Sequence, residues 1–144
     1  MISLLTGIES SASALDAERV RMDVISQNIA NANTTHDVDG KPYQRQEVVF
    51  ESVLRAQQEA GNPAAGSKTV QVARVQRDAR PPRMVYNPGH PDANAKGMVA
   101  MPDINIHEEM VDMIASSRSY EANLAVVKNA RAIAMQALSI GKHS

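Results

Sequence analysis

Between Asn105 and Ile140, Ile106, Met113, Tyr120, Val127 and Ala134 recur every seven residues, and Met110, Leu124 and Leu138 fill the interleaved positions of the same repeat. Apolar residues at this spacing share one face of an α-helix. The segment therefore reads as a long helix with a partner along that face. Asn105 is placed to cap its first turn, with Glu108 three residues later as in a capping box. Glu108, Glu109 and Asp112 precede Arg131 and Lys142, the charge order that a helix dipole favours, and Gly141 is a usual stop. From Ala122 to Ile140 only Lys128 and Arg131 are charged, and Val126, Ile133 and Ile140 form a second apolar stripe. A helix that is apolar nearly all round has to be covered nearly all round. One antiparallel partner covers a single seam, and a chain of 144 residues is too short to supply the other neighbours.

A second heptad pattern opens the chain. Met1, Ile8, Leu15, Met22 and Ile29 recur every seven residues, with Ile25 beside them, and the pattern predicts a helix over Ser3–Asn31. At about 1.5 Å per residue the two helices would run roughly 43 and 54 Å. A compact domain of this length has a radius of gyration of about 15 Å, so the longer helix would protrude from it. The expected fold is α+β and elongated. Long N- and C-terminal helices pack as a coiled-coil-like rod, and a small β/loop insert lies between them. The expected division is residues 1–33, 34–104 and 105–144.

The first helix ends in Asn28-Ile29-Ala30-Asn31-Ala32-Asn33-Thr34-Thr35. Short amide and hydroxyl side chains bond backbone groups freed where a helix unwinds. Asn28, Asn31, Asn33, Thr34 and Thr35 are therefore read as a shaped junction into the insert, against the simpler reading of a polar helix stop. Beyond it, Tyr43–Glu51 and Thr69–Val75 read as strands and Met84–Tyr86 as a short one. Residues 52–60 fit either a short helix or an extended arm. Gly61–Gly66 reads as a loop, Asn87–Asp92 as a proline-stiffened loop, and Met98–Met101 as the lead into the last helix.

The chain offers little for chemistry. It has no cysteine, hence no disulfide and no thiolate metal site, and its net charge of −1 gives no global field toward nucleic acid or membrane. One Phe, three Tyr and no Trp leave the apolar content to Ala, Val, Ile and eight Met. No run approaches the ~20 apolar residues that span a bilayer. Met1–Ile8 is apolar, but Glu9 follows at once and no basic residue precedes it, so it does not read as a cleaved secretory signal. No two of His36, His90, His107 and His143 stand at the i, i+4 spacing of a helical metal site. His36 with Asp37 and Asp39, and His90 with Asp92, read as solvated loops. There is neither a Gly-rich phosphate loop nor a G-x-S-x-G. No catalytic residue, cofactor or metal is expected. Lys68, Arg74, Arg77, Arg80 and Arg83 form a basic stripe opposed by Asp78 alone. Without interleaved aromatics it reads as a solvated face or a contact for an acidic protein, rather than a nucleic-acid site.

The stretch Ser26–Thr35, placed behind an N-terminal helix, resembles the signature of bacterial flagellar rod and hook proteins. Pro42–Phe50, Pro82–Ala93, Asn105–Ile114 and Arg118–Asn123 are similar to the proximal-rod branch of that family, and the resemblance covers nearly the whole chain. It implies a structural subunit that polymerises through its terminal helices into the periplasm-spanning rod of the basal body and transmits motor torque. Ile8, Leu15, Met22, Ile25 and Ile29 on the first helix would then serve subunit packing. So would Met110, Met113, Tyr120, Leu124, Val127, Ile133 and Leu138 on the last. The implied partners are further copies of the chain, FlgB, FliE, FlgF and FlgG, with export by the flagellar type III apparatus and no cleaved signal. Neither nucleic acid nor direct membrane insertion is implied. The competing reading is a soluble helical adaptor or export chaperone in the cytosol, which would have to hide the apolar surplus of Ala122–Ile140 when alone.

Overall fold

The computed structural model describes residues 2–55 and 67–141. Its elements are α1 (Ile2–Ala30), β1 (Gln46–Arg55), β2 (Ser67–Arg77), β3 (Arg83–Tyr86), β4 (Met98–Met101) and α2 (Ile106–Gly141). The chain is thus α+β, with a helix at each end and a β insert of two separate two-stranded sheets.

α1 packs against α2 and against the β1–β2 hairpin. The two helices run antiparallel: Asn28, near the end of α1, meets Glu109, near the start of α2, and Glu18 meets Ser116. Small side chains line the seam. Ala17 on α1 and Ser116 and Ala130 on α2 are buried, and their size lets the backbones approach. Val24 and Ile25 fill the α1 side nearest the insert. The helices start level at the junction, and α2 has 36 residues against 29 in α1. The last turns of α2 therefore continue roughly 10 Å past the beginning of α1.

β1 and β2 pair antiparallel from Gln46 opposite Arg77 to Arg55 opposite Ser67, with a bulge between Val49 and Phe50. Val49 faces Arg74 and Phe50 faces Val72, so Ala73 is the extra residue. A bulge adds twist, which suits a long hairpin lying along a helix. β3 and β4 pair from Arg83 opposite Met101 to Tyr86 opposite Met98. Their loop closes at Gly97, whose φ is +70° and where a Cβ would stand 2.9 Å from Cε2 of Tyr86 and 3.1 Å from Cβ of Pro88. Glycine alone fits both conditions. Buried Ala32, Tyr43 and Ile104 form a small core where the junction, the insert and the approach to α2 meet.

Several elements differ from expectation. The first strand begins at Gln46 rather than Tyr43, because the Tyr43 N–H bonds the Thr34 carbonyl at 3.1 Å and its hydroxyl bonds Asn28. Residues 52–55 are strand, decided by pairing with β2; 56–60 and the expected loop 61–66 lie outside the described residues. Met98–Met101 is a strand rather than a lead-in, held by its ladder to β3 and by Val99, which is buried. Asn105 caps α2 as expected, its Oδ1 accepting from the His107 N–H at 3.1 Å. Glu108 is exposed, whereas Glu109 is 1% exposed. Glu109 is therefore not a dipole decoration but part of the interior.

Candidate functional site

α1 delivers Asn28 into the interior, where its side chain uses every donor and acceptor it has. Its Nδ2 donates to the Gln46 carbonyl at 2.9 Å and to Glu109 Oε2 at 3.0 Å. Its Oδ1 accepts from the Gln46 N–H at 2.9 Å and from the Tyr43 hydroxyl at 3.1 Å. One amide thus joins α1, the start of β1 and the first turn of α2. A buried polar atom left unpaired costs about 1–3 kcal/mol, so Asn28 stabilises this meeting only when all three elements are in place.

Glu109 gives its other oxygen to Arg45, whose Nε donates to Oε1 at 2.6 Å. The Arg45 side chain is 20% exposed and also faces Asp78 at 3.9 Å and Glu47 at 4.0 Å. Asp78 in turn accepts from Arg80 Nε at 2.7 Å, and Arg80 reaches Asp103 at 3.3 Å. The Arg80 guanidinium holds the Asp78 carboxyl below the usual carboxylate range, and Asp78 holds Arg80 above its own. Burial raises the Tyr43 phenol, with the carboxylates of Asp37 and Glu109 adding to it against Arg77. Removing one partner of a fully buried pair costs about 3–5 kcal/mol because the other charge stays behind. Losing Arg45 leaves the buried Glu109 carboxylate in that position, while Glu109 removal leaves an Arg45 that already reaches solvent.

The junction residues divide among tasks. Asn31 Nδ2 donates to the Gln27 carbonyl at 2.9 Å, and the Thr34 hydroxyl donates to Asn31 Oδ1 at 3.1 Å, so these two end the helix. The Thr35 hydroxyl donates to Asp92 Oδ2 at 2.7 Å, fastening the junction to the β3–β4 loop. Asn33 is exposed. The two histidine loops, read apart as solvated, meet on the same carboxylate: His36 Nδ1 lies 3.3 Å and His90 Nδ1 3.7 Å from Asp92 Oδ2. The Thr35 hydroxyl first, and then His36 and His90, hold the Asp92 carboxyl below its ordinary range. Among the described residues no group of His, Asp or Glu is arranged to hold a metal ion. The basic stripe has more partners than Asp78, since Arg77 faces Asp39 at 3.4 Å and Arg80 faces Asp103.

The helix faces separate into two sets. Ile8, Leu15, Met22 and Ile29 are half-buried and Ile25 is buried, as is Val24 beside it. On α2, Met113, Tyr120, Leu124 and Val127 are half-buried along the inward face that also carries Glu109, Ser116 and Ala130. Met110 and Ile133 lie outside it and are exposed, and Leu138, on the heptad of Leu124, is exposed because it lies past the beginning of α1. Val126, Ile133 and Ile140, the second stripe, are 50%, 58% and 67% exposed, and Met135 and Leu138, on the other side of the last turns, are exposed as well. The described part of the chain therefore presents an open apolar stripe along the C-terminal half of α2, reaching into its overhanging end. Among the described residues no helix is long and apolar enough to cross a membrane.

Sequence reasoning missed Glu109, Arg45 and Tyr43 as one unit. A signal existed for Glu109: it lies seven residues before Ser116, fourteen before Asn123 and twenty-one before Ala130. That period places it on the seam, where a carboxylate needs a partner. Nothing local marks Arg45 as that partner, since it stands 64 residues away.

Two family models match the chain. One described as a flagella basal body rod protein covers residues 8–35, and one described as the C-terminal part of the flagellar basal body rod FlgEFG proteins covers 95–140. The chain is 38% identical to the flagellar basal-body rod protein FlgC of Yersinia enterocolitica over 98% of its length and 100% of the relative's. It is 43% identical to that of Bacillus subtilis over 92% and 94%, and 36% identical to that of Escherichia coli O157:H7 over 98% and 100%. The two matched regions contain the junction and α2.

Proposed function

Because the chain belongs to the FlgC family of flagellar basal-body rod proteins, we propose that it works as a structural subunit of the rod rather than as an enzyme, with packing in place of catalysis. The observation that carries the reading is the open apolar face of α2, from Val126 to Ile140. α1 and α2 pair as a coiled-coil-like core through Ile8, Leu15, Met22, Ile25 and Ile29 against Met113, Tyr120, Leu124 and Val127. Met110, Ile133 and Leu138 then face neighbouring subunits. Burying that surface contributes about 25 cal/mol per Å² before the cost of association is subtracted. Residues 1–33 and 105–144 form the axial core, and 34–104 adds side contacts that set the subunit's place.

The neighbours are further copies of the chain together with FlgB, FliE, FlgF and FlgG. The subunit leaves the cell through the flagellar type III apparatus without a cleaved signal and forms part of the drive shaft in the periplasm. Torque passes between subunits as load on packed helix faces. Fractionation of motile cells tests this. The chain is expected in purified basal bodies; recovery solely from cytosol would overturn the reading in favour of an adaptor or export chaperone.

A further inference from the structure

The apolar repeat does not by itself choose how far α2 is slid along α1. Ile8, Leu15, Met22 and Ile29 recur every seven residues, and so do Met113, Tyr120, Val127 and Ala134. Sliding by one heptad exchanges each apolar side chain for the next, and cores tolerate such exchanges when volume is about kept. Polar groups buried in the same seam are not interchangeable. Glu109 is matched by Arg45 Nε at 2.6 Å and Asn28 Nδ2 at 3.0 Å. The Ser116 hydroxyl, on a residue 1% exposed, meets Glu18 Oε2 at 2.5 Å and the Glu18 carbonyl at 3.3 Å. These two contacts lie two turns apart on α2 and bind residues 81 and 98 positions distant.

We infer that Glu109, with Asn28 and Arg45, and Ser116, with Glu18, are register-determining pins that fix how much of α2 overhangs α1. A one-heptad slip carries Glu109 away from both partners and leaves a desolvated carboxylate and an unpaired amide. A buried polar residue that selects one register of a helix pair is an established use of such groups. Asn28 is also bonded to both backbone atoms of Gln46, so the same pin sets the height of the insert along the helix pair. The overhang presents Leu138 and Ile140, with Ile133 at its edge. A slip moves that apolar end by about 10 Å relative to the insert, one heptad at 1.5 Å per residue. The register itself is a property of the single chain; only its use in docking rests on the rod reading.

The chain has no cysteine, so nitroxide labels at Asp23→Cys on α1 and Lys128→Cys on α2, both exposed positions, report the register by electron–electron double resonance on the full chain. The otherwise native protein should give one distance. Glu109→Met replaces the carboxylate by an apolar side chain and should keep its helical circular dichroism while adding a second distance displaced by about 10 Å. Glu109→Gln keeps the shape and covers the case in which the Met variant does not fold; it should show the same second distance at lower population. A single unchanged distance in folded Glu109→Gln, and in Glu109→Met where it folds, overturns the inference. The labels are read on the isolated chain, so this result is independent of whether the chain is recovered in basal bodies.

Discussion

Asn28 is one of three asparagines crowded at the end of the first helix, and the crowding is what sequence reasoning could see. It could not see that the three differ. Asn28 sits on the inner face of α1 and is 1% exposed, Asn31 ends the helix from its side, and Asn33 faces solvent. Periodicity ranks them only once the partner helix is known. Asn31→Leu should therefore lower stability by about 1 kcal/mol through the lost bonds to Gln27 and Thr34, while Asn33→Leu should stay within about 0.5 kcal/mol of the parent. Denaturant melts of the two single variants decide it; equal losses would mean that the stretch is an undifferentiated polar stop. Tyr43 gives a pH test of the same site. Its phenol is held protonated above the ordinary value of 10.0 by burial and by the nearby carboxylates. A raised folded-state value means that this stabilisation is complete below pH 10.0 and is lost as pH rises through that value. Tyr43→Phe should cost about 1 kcal/mol at neutral pH through its bond to Asn28. The gap to the parent should narrow as pH rises above 10.0, because only the parent then has a phenol there to ionise. A gap that stays constant across that range would count against a buried phenol.

At the scale of elements, both helices and three of the four strands were legible because their cues are local: heptads, β-branched runs, prolines and glycines. β4 was not, because Met98–Met101 takes its strand character from the ladder to β3 rather than from its own composition. The end of β1 was not, because residues 52–55 are strand by virtue of Ser67–Val70 opposite. The seam of α2 was legible in period but not in detail, since Met110 shares the heptad with Met113 yet is 52% exposed. Half-buried Leu124 lies on the inward face between Tyr120 and Val127. Leu124→Asp puts a carboxylate there and should destabilise the helix pair by about 2–4 kcal/mol. Arg77→Ala removes a pair whose side chains are 58% and 63% exposed, and such pairs are worth about 0–1 kcal/mol. Thermal melts followed by helical circular dichroism should therefore separate the two variants widely. Matching melting curves would mean that the inward face of α2 is not loaded in the way its burial implies.

At the scale of the whole molecule, α2 is covered on one side only. The inner face is covered by α1, and the outer face at the far end is not covered by any described residue. α2 outlasts α1, and the hairpin lies against α1 rather than α2. The uncovered residues should therefore matter for assembly and not for the fold. Ile133→Ser with Ile140→Ser tests this cleanly, because Ile and Ser have similar helix propensities and the two side chains are 58% and 67% exposed. In the isolated chain the double variant should melt within about 0.5 kcal/mol of the parent. In the rod it removes the burial of two large side chains at each contact. About 3 kcal/mol of that is surface open in the single chain, a roughly hundredfold weaker association at 1.4 kcal/mol per tenfold. With export held equal, rod yield from purified basal bodies and swimming in soft agar should both fall sharply. Normal rods and normal swimming from the double variant would show that neighbours do not use this face, and the covering surface would have to be sought on Met110, Val111 and Ile114 at the other end of α2.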